Sequence, residues 1–146
     1  MDRAARMVLL VEDNPDDALL IRHAFNKAKL PNPLQVVEDG ETALEYLSGQ
    51  GVYADRTRFP IPGLILLDLK LPRKSGFDVL AWIRQQPSLE RVPVVVLTSH
   101  KEIPDINDAY DLGANFYLVK SIAFANLREM VQKISDILNR RLERAK

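Results

Sequence analysis

Carboxylate, hydroxyl and lysine side chains stand at the ends of four of the five short apolar runs in this sequence. Glu12 and Asp13 follow the first run, Asp68 follows the third, Thr98 the fourth and Lys120 the fifth. Carboxylate oxygens suit magnesium, which binds through one or two protein carboxylates and keeps some of its waters. Aspartate is also a covalent acceptor of phosphate. This set of residue types predicts magnesium-assisted transfer of a phosphoryl group to an aspartate.

Each of these side chains has a distinct task in such a reaction. Glu12, Asp13 and Asp68 would repel one another unless a cation neutralised them, and bound magnesium bridges protein and phosphoryl oxygens. Thr98 offers a hydroxyl donor and Lys120 a compact positive charge for the remaining phosphoryl oxygens. Phosphoryl transfer asks little of a protein beyond such alignment and charge stabilisation.

The five apolar runs predict strands that are buried on both faces of a parallel sheet, because they are continuous rather than alternating. The runs are Met7–Val11, Leu34–Val37, Leu64–Leu67, Val94–Leu97 and Phe116–Val119.

The stretches between the runs predict helices. Asn14 caps the first helix, whose buried face is Ile21, Ala24, Phe25 and Ala28. The second helix is Glu41–Leu47, and Ser75 caps the third. Pro104 and Gly113 bound the fourth helix, and the last helix spans residues 124–144. Residues 49–63 form a long connection for a compact domain.

Five strands that alternate with five helices predict an α/β, doubly wound, five-stranded parallel sheet. The carboxyl ends of parallel strands meet at one edge, where open α/β sheets bind ligands. The chemical side chains are therefore expected to converge there although they are distant in sequence. Asp16 and Asp17 are expected to complement the positive end of the first helix rather than to extend this site.

The segments VLLVEDN, LILLDLKLP, VVVLTS and YLVK resemble the receiver domain of two-component response regulators, over essentially the whole chain. The resemblance implies a flavodoxin-like fold with strand order 2-1-3-4-5 and a single receiver domain, residues 1–146, with a core at about 7–140. It further implies a magnesium cofactor and phosphoryl transfer from a phosphohistidine on a sensor histidine kinase, followed by slow hydrolysis. The protein would then be a phosphorelay signalling module and not an enzyme.

The resemblance also implies a role for each matching residue. Glu12 and Asp13 match the acidic pair, with Asp13 the direct metal ligand. Asp68 matches the phosphoacceptor and is also a metal ligand, and the backbone carbonyl of Lys70 is a further ligand. Thr98 matches the switch hydroxyl, Tyr117 the switch aromatic residue and Lys120 the lysine that contacts the phosphoryl group.

A narrower resemblance is carried by VEDNPDDALLIRHAF, YADRTRFPIPGLILLDLKLPRKSG and DAYDLGANFYLVK. These segments are similar to the single-domain regulators that serve bacterial phytochromes. They imply a phytochrome-type kinase as the partner.

One position departs from the family pattern, because Ser121 stands where the family usually has proline after a cis peptide bond. A cis bond before a residue other than proline costs about 2.5–4 kcal/mol, so a trans Lys120–Ser121 bond is predicted. The departure also leaves open a pseudo-receiver that binds partners without phosphorylation. A third hypothesis is a magnesium-dependent phosphohydrolase, but Lys70 stands where such enzymes often carry a second aspartate.

The composition limits the partners. Lys plus Arg equals Asp plus Glu, at 20 each, so no net charge draws the chain to nucleic acid or to a membrane. The absence of cysteine excludes disulfides and thiolate chemistry, and the cytoplasm is the expected location. The resemblance to receiver domains implies that the output is protein interaction through the face of the fourth helix, fifth strand and fifth helix, which is the family's usual signalling face. A homodimer is possible there, with Phe116 and Phe124 as anchors or as core residues.

Overall fold

The computed structural model describes residues 6–99 and 106–144 as a five-stranded parallel sheet with helices on both faces. The strands are β1 (Val8–Val11), β2 (Leu34–Val37), β3 (Leu64–Asp68), β4 (Val94–Thr98) and β5 (Phe116–Val119). Their order is β2-β1-β3-β4-β5. The doubly wound fold and the strand order are both confirmed.

The helices separate into two layers. They are α1 (Pro15–Lys27), α2 (Gly40–Ser48), α3 (Gly76–Arg84), α4 (Ile106–Asp111), α5 (Lys120–Ala123) and α6 (Leu127–Arg144). Buried side chains of α1 and α6 form one apolar core with the sheet, and those of α2, α3 and α4 form the other. Each face of the sheet is thereby covered, which is the arrangement that continuous apolar strands require.

Only the inner strands are buried on both faces of the sheet, as was predicted for all five. Every residue of β1, β3 and β4 is buried, whereas β2 and β5 lie at the edges and are partly exposed. An edge strand has one neighbouring strand instead of two, so helices cover it less completely. The predicted burial of Leu34–Val37 and Phe116–Val119 is therefore wrong in part.

The predicted helix starts agree with the structure in two cases. The Asn14 side chain accepts hydrogen bonds from the backbone N–H groups of Asp16 and Asp17, and the Ser75 hydroxyl accepts one from Asp78. Pro104 lies outside the described residues. Ala28, predicted on the buried face of the first helix, is exposed, because α1 ends at Lys27.

The last helix begins later than the predicted residue 124. Residues Lys120–Ala123 form the separate short helix α5, and Asn126 caps α6 by accepting from the backbone N–H of Glu129 at 3.1 Å. The long final helix of the prediction is therefore α6, and Phe124 packs in the linking turn against the α1–α6 core.

The long connection at residues 49–63 is held in place by Arg56. Its guanidinium donates to the backbone carbonyls of Tyr46, Leu47 and Phe59, at 2.9, 2.9 and 3.2 Å. Two of these carbonyls belong to the last turn of α2, where backbone acceptors lack helical partners. Arg56 thus caps α2 and fixes the connection to it.

Candidate functional site

Strand register brings the predicted site residues to one edge of the sheet. Val11 of β1 pairs with Leu67 of β3, so Glu12 and Asp68 follow at the same level. Thr98 ends β4 beside β3, where Leu97 pairs with Asp68. Glu12, Asp68 and Thr98 are buried, at 1%, 5% and 0% exposure. The predicted convergence at the carboxyl edge is confirmed.

Both carboxylate oxygens of Asp68 have fixed partners. The backbone N–H of Lys70 donates to Oδ1 at 2.9 Å, and the Lys120 ammonium lies 2.9 Å from Oδ2. Gly76 stabilises the backbone here, because its N–H donates to the Leu69 carbonyl at 2.9 Å. A Cβ at position 76 would lie 2.3 Å from the Asp68 carbonyl oxygen, so only glycine permits this approach.

Three carboxylates at this edge form a group that fits a divalent cation. Ligand oxygens of Glu12, Asp13 and Asp68 all lie within 4.8 Å of one another, and Asp13 is exposed while the other two are buried. Burial, together with the neighbouring Asp68, raises the pKa of Glu12 to about 8 despite the opposing charge of Lys120. Crowded carboxylate oxygens with one solvent-facing member suit magnesium, which retains waters.

Lys120 supplies a positive charge to this site. Its Nζ lies 2.8 Å from Glu12 Oε1, an ion pair, and donates hydrogen bonds at 2.9 Å to Asp17 Oδ2 and Asp68 Oδ2. Burial lowers the pKa of Lys120, but the bonds to these carboxylates outweigh burial and raise it above its ordinary value.

The Lys120–Ser121 bond is trans, as predicted. Lys120 reaches Asp68 across this trans bond, because α5 begins at Lys120 itself. The departure at Ser121 therefore does not displace the lysine.

Asp17 was expected only to complement the end of the first helix, and for this residue the expectation is wrong. Asp16 is exposed, as expected of a residue that only complements the helix end, but Asp17 is half-buried and reaches Lys120. Side chains on a helix lean toward its N-terminus. The sequence signal for Asp17 was its place in the first turn of α1, the helix that directly follows the strand ending at the site.

Thr98 lies at the end of β4, and Tyr117 lies on neighbouring β5. Thr98 is buried, and its hydroxyl donates to the Ser99 carbonyl at 3.3 Å. Tyr117 is 44% exposed and packs edge-on against Tyr110, with ring centroids 6.1 Å apart. Phe116 is also exposed at the β5 edge.

The sheet order and this acidic edge are those of a response regulator receiver domain. The family model with that description matches residues 8–132, and the chain belongs to this family. No helix in the described ranges is long and apolar enough to cross a membrane.

Within the family, the chain is similar to phytochrome response regulators, as the narrower resemblance predicted. Response regulator Rcp1 of Synechocystis sp. is 42% identical over 131 residues, which cover 90% of this chain and 87% of Rcp1. The phosphorylated cyanobacterial phytochrome response regulator RcpA superposes with a TM-score of 0.82 at 41% identity, covering 92% of this chain and 94% of RcpA. The Mn²⁺-bound form of Rcp1 gives a TM-score of 0.77 at 42% identity, covering 88% and 91%. Rcp1 and RcpA are both response regulators.

Proposed function

We propose that Asp68 accepts a phosphoryl group from a phosphohistidine of a sensor histidine kinase, with Mg²⁺ as the cofactor. The observation that carries this proposal is the setting of Asp68. It is a buried carboxylate at a strand end, with Lys70 N–H on one oxygen and the Lys120 ammonium on the other. Two further carboxylates stand beside it.

In the proposed step, a carboxylate oxygen of Asp68 attacks phosphorus and forms an acyl phosphate. The P–N bond of the phosphohistidine breaks, and the imidazole nitrogen keeps the electron pair. Lys120 stabilises the charge on one phosphoryl oxygen and the Thr98 hydroxyl donates to another.

Glu12, Asp13, Asp68 and the Lys70 carbonyl are the proposed holders of the cation. Bound Mg²⁺ supplies Lewis-acid neutralisation of phosphoryl charge. Glu12 is the innermost of the three carboxylates and Asp13 faces solvent, so Asp13 is the one that an arriving cation meets first.

The kinase partner that the relatives favour is a phytochrome. RcpA is described as a cyanobacterial phytochrome response regulator, and it covers nearly all of this chain. Phosphoryl transfer from such a kinase would depend on light.

The proposal is tested by phosphate incorporation from phosphoramidate with Mg²⁺, followed by intact mass. The unmodified protein gains one phosphoryl group, and Asp68→Asn gains none. Asp16→Asn, an exposed carboxylate on the same edge, is the matched control and incorporates normally. Labelling of Asp68→Asn at the unmodified rate would refute the assignment.

The kinase proposal has its own experiment. Purified bacterial phytochrome kinase, autophosphorylated with ATP, is mixed with this protein in red and far-red light. Transfer that differs between the two light conditions supports the partner. Transfer that occurs only from unrelated kinases, without a light effect, contradicts it.

We further propose that the output face is that of α4, β5 and α6, and that its partner is a second copy of the chain. A groove of about 280 Å³ lies between β5 and α6, with Phe116, Tyr117 and Ile137 among its lining residues. Lys133 and Asp136 also line it and carry opposite charges. A two-fold contact can place the lysine of one copy against the aspartate of the other.

Charge reversal tests this contact. Lys133→Asp is expected to weaken self-association in sedimentation velocity of the phosphorylated protein, because like charges then face each other. Lys133→Asp combined with Asp136→Lys restores opposite charges and is expected to restore association. A phosphorylated protein that is monomeric at every concentration would contradict the homodimer.

A further inference from the structure

We infer that Asp17 is a positioning residue for phosphoryl transfer, which it serves by holding the Lys120 ammonium at the site. The inference rests on the proposed function of Asp68. It assigns a role to a residue that stands outside the acidic cluster and to which the resemblance gave no part in the site.

Lys120 needs an external anchor because its own element is small. The helix α5 has only four residues, and Ile122 within it is 63% exposed, so few side chains pack this turn against the protein. The lysine side chain itself is flexible, with four carbons between backbone and ammonium. Its position is therefore set by what binds the ammonium.

Three carboxylates from three elements bind the ammonium. Glu12 follows β1, Asp68 ends β3 and Asp17 lies in the first turn of α1, with Nζ to oxygen distances of 2.8, 2.9 and 2.9 Å. The Lys120 side chain is 19% exposed and that of Asp17 is 21% exposed, so solvent screens this pair only partly.

Asp17 differs from Glu12 and Asp68, the other two partners of the ammonium, because those two have a second task at the site. Glu12 and Asp68 belong to the acidic cluster that fits a cation, and Asp68 is the proposed acceptor. Asp17 stands outside that cluster. Its bond to Lys120 can therefore persist while the partnership of the ammonium with Asp68 is replaced by one with a phosphoryl oxygen.

The geometry also ties α1 to the turn that carries the lysine. Asp17 and Lys120 are 103 residues apart in sequence. Asp17 is itself held, because its backbone N–H donates to the Asn14 side chain at 3.2 Å. The capped first turn of α1 is thus a rigid support for the ammonium.

The test compares Asp17→Ala with Asp16→Ala in phosphoryl incorporation from phosphoramidate at saturating Mg²⁺. Both changes remove a carboxylate from the first turn of α1, but only Asp17 contacts Lys120. We expect Asp17→Ala to lower the rate by about ten- to a hundredfold, the effect of losing alignment of a reacting group. Asp16→Ala is expected to stay within about twofold of the unmodified protein.

Two further measurements separate positioning from other effects. Asp17→Asn keeps an acceptor oxygen without the charge, and its rate is expected to lie closer to the unmodified protein than that of Asp17→Ala. In a Lys120→Ala background, Asp17→Ala is expected to have no additional effect.

Three results would overturn the inference. They are an unmodified rate in Asp17→Ala, equal losses in the Asn and Ala variants, and an undiminished Asp17→Ala effect in the Lys120→Ala background. Absence of incorporation in the unmodified protein would instead refute the proposed function.

Discussion

For the substitution Gly76→Ala, helix propensity and tertiary structure predict changes in stability of opposite sign. Gly76 is the first residue of α3, and Gly→Ala within a helix stabilises a protein by up to about 1 kcal/mol from propensity alone. Here an added Cβ would lie 2.3 Å from the Asp68 carbonyl oxygen and 2.6 Å from Leu69 Cα. Both contacts are with backbone, which cannot rotate away as a flexible side chain can.

The expected cost follows from that geometry. Restoring ordinary contact requires the backbone after Asp68 to move by roughly 1 Å, and overpacking of this kind costs about 1–3 kcal/mol. Because the obstacle is backbone, we expect about 3 kcal/mol, or a loss of about 6–12 °C in Tm. The same movement displaces Asp68, so phosphoryl incorporation is expected to slow by more than about tenfold.

The assay is thermal and urea unfolding of Gly76→Ala beside Gly51→Ala. Gly51 has no atom within 4 Å of an added Cβ, but its φ of +58° favours glycine, so Gly51→Ala is expected to cost only about 1 kcal/mol. If Gly76→Ala were as stable as the unmodified protein, or more stable, the close approach of the Asp68 and Leu69 backbone would be refuted as the reason for glycine at this position.

Three other changes have defined outcomes. With EDTA present, the unmodified protein is expected to lose stability as pH rises from 4.5 to about 8, because folding raises the pKa of Glu12 across that interval. In urea unfolding, Glu12→Gln should lack this decline of stability with pH. For a single group the decline cannot exceed about 1.4 kcal/mol per pH unit. The same decline in Glu12→Gln as in the unmodified protein would exclude Glu12 as its source. Arg84 donates hydrogen bonds to four backbone carbonyls and to the Asn115 side chain. A lysine at this position cannot reach all five acceptors, so Arg84→Lys should lower the free energy of unfolding in urea by about 2 kcal/mol. An unchanged urea midpoint would count against a stabilising role for these bonds. Tyr46→Phe removes the hydroxyl donor to the Pro60 carbonyl and should cost about 1 kcal/mol by the same measurement, and equal stability would show that water replaces this bond.

The sheet and the site edge could be predicted because they depend on local and periodic signals. Apolar runs located all five strands to within a residue at each end, and Asn14 and Ser75 marked two helix starts through their side-chain caps. Parallel pairing then fixed which side chains share an edge. Asp68 and Lys120, 52 residues apart, meet for that reason.

What the sequence did not reveal depends on partners that are distant in sequence. Asp17 could be read as a helix-end charge, because only the fold shows Lys120 beside it. The start of α6 was misplaced because the apolar Phe124 continued the helical pattern, although the Asn126 cap interrupts it. Arg56 and Arg84 gave no pattern at all, since all but one of their acceptors are backbone carbonyls, which any residue supplies.

All four tyrosines of the chain occur in two pairs, and this arrangement has a spectroscopic consequence. Tyr46 and Tyr53 lie with ring centroids 5.0 Å apart beside the connection that follows α2, and Tyr110 and Tyr117 lie 6.1 Å apart on the α4–β5 face. Near-ultraviolet circular dichroism of tyrosine therefore originates from two separate places. In a Tyr46→Phe, Tyr53→Phe double variant the remaining tyrosine signal comes from Tyr110 and Tyr117, on the face proposed to change on phosphorylation, so the switch can be followed without an attached label.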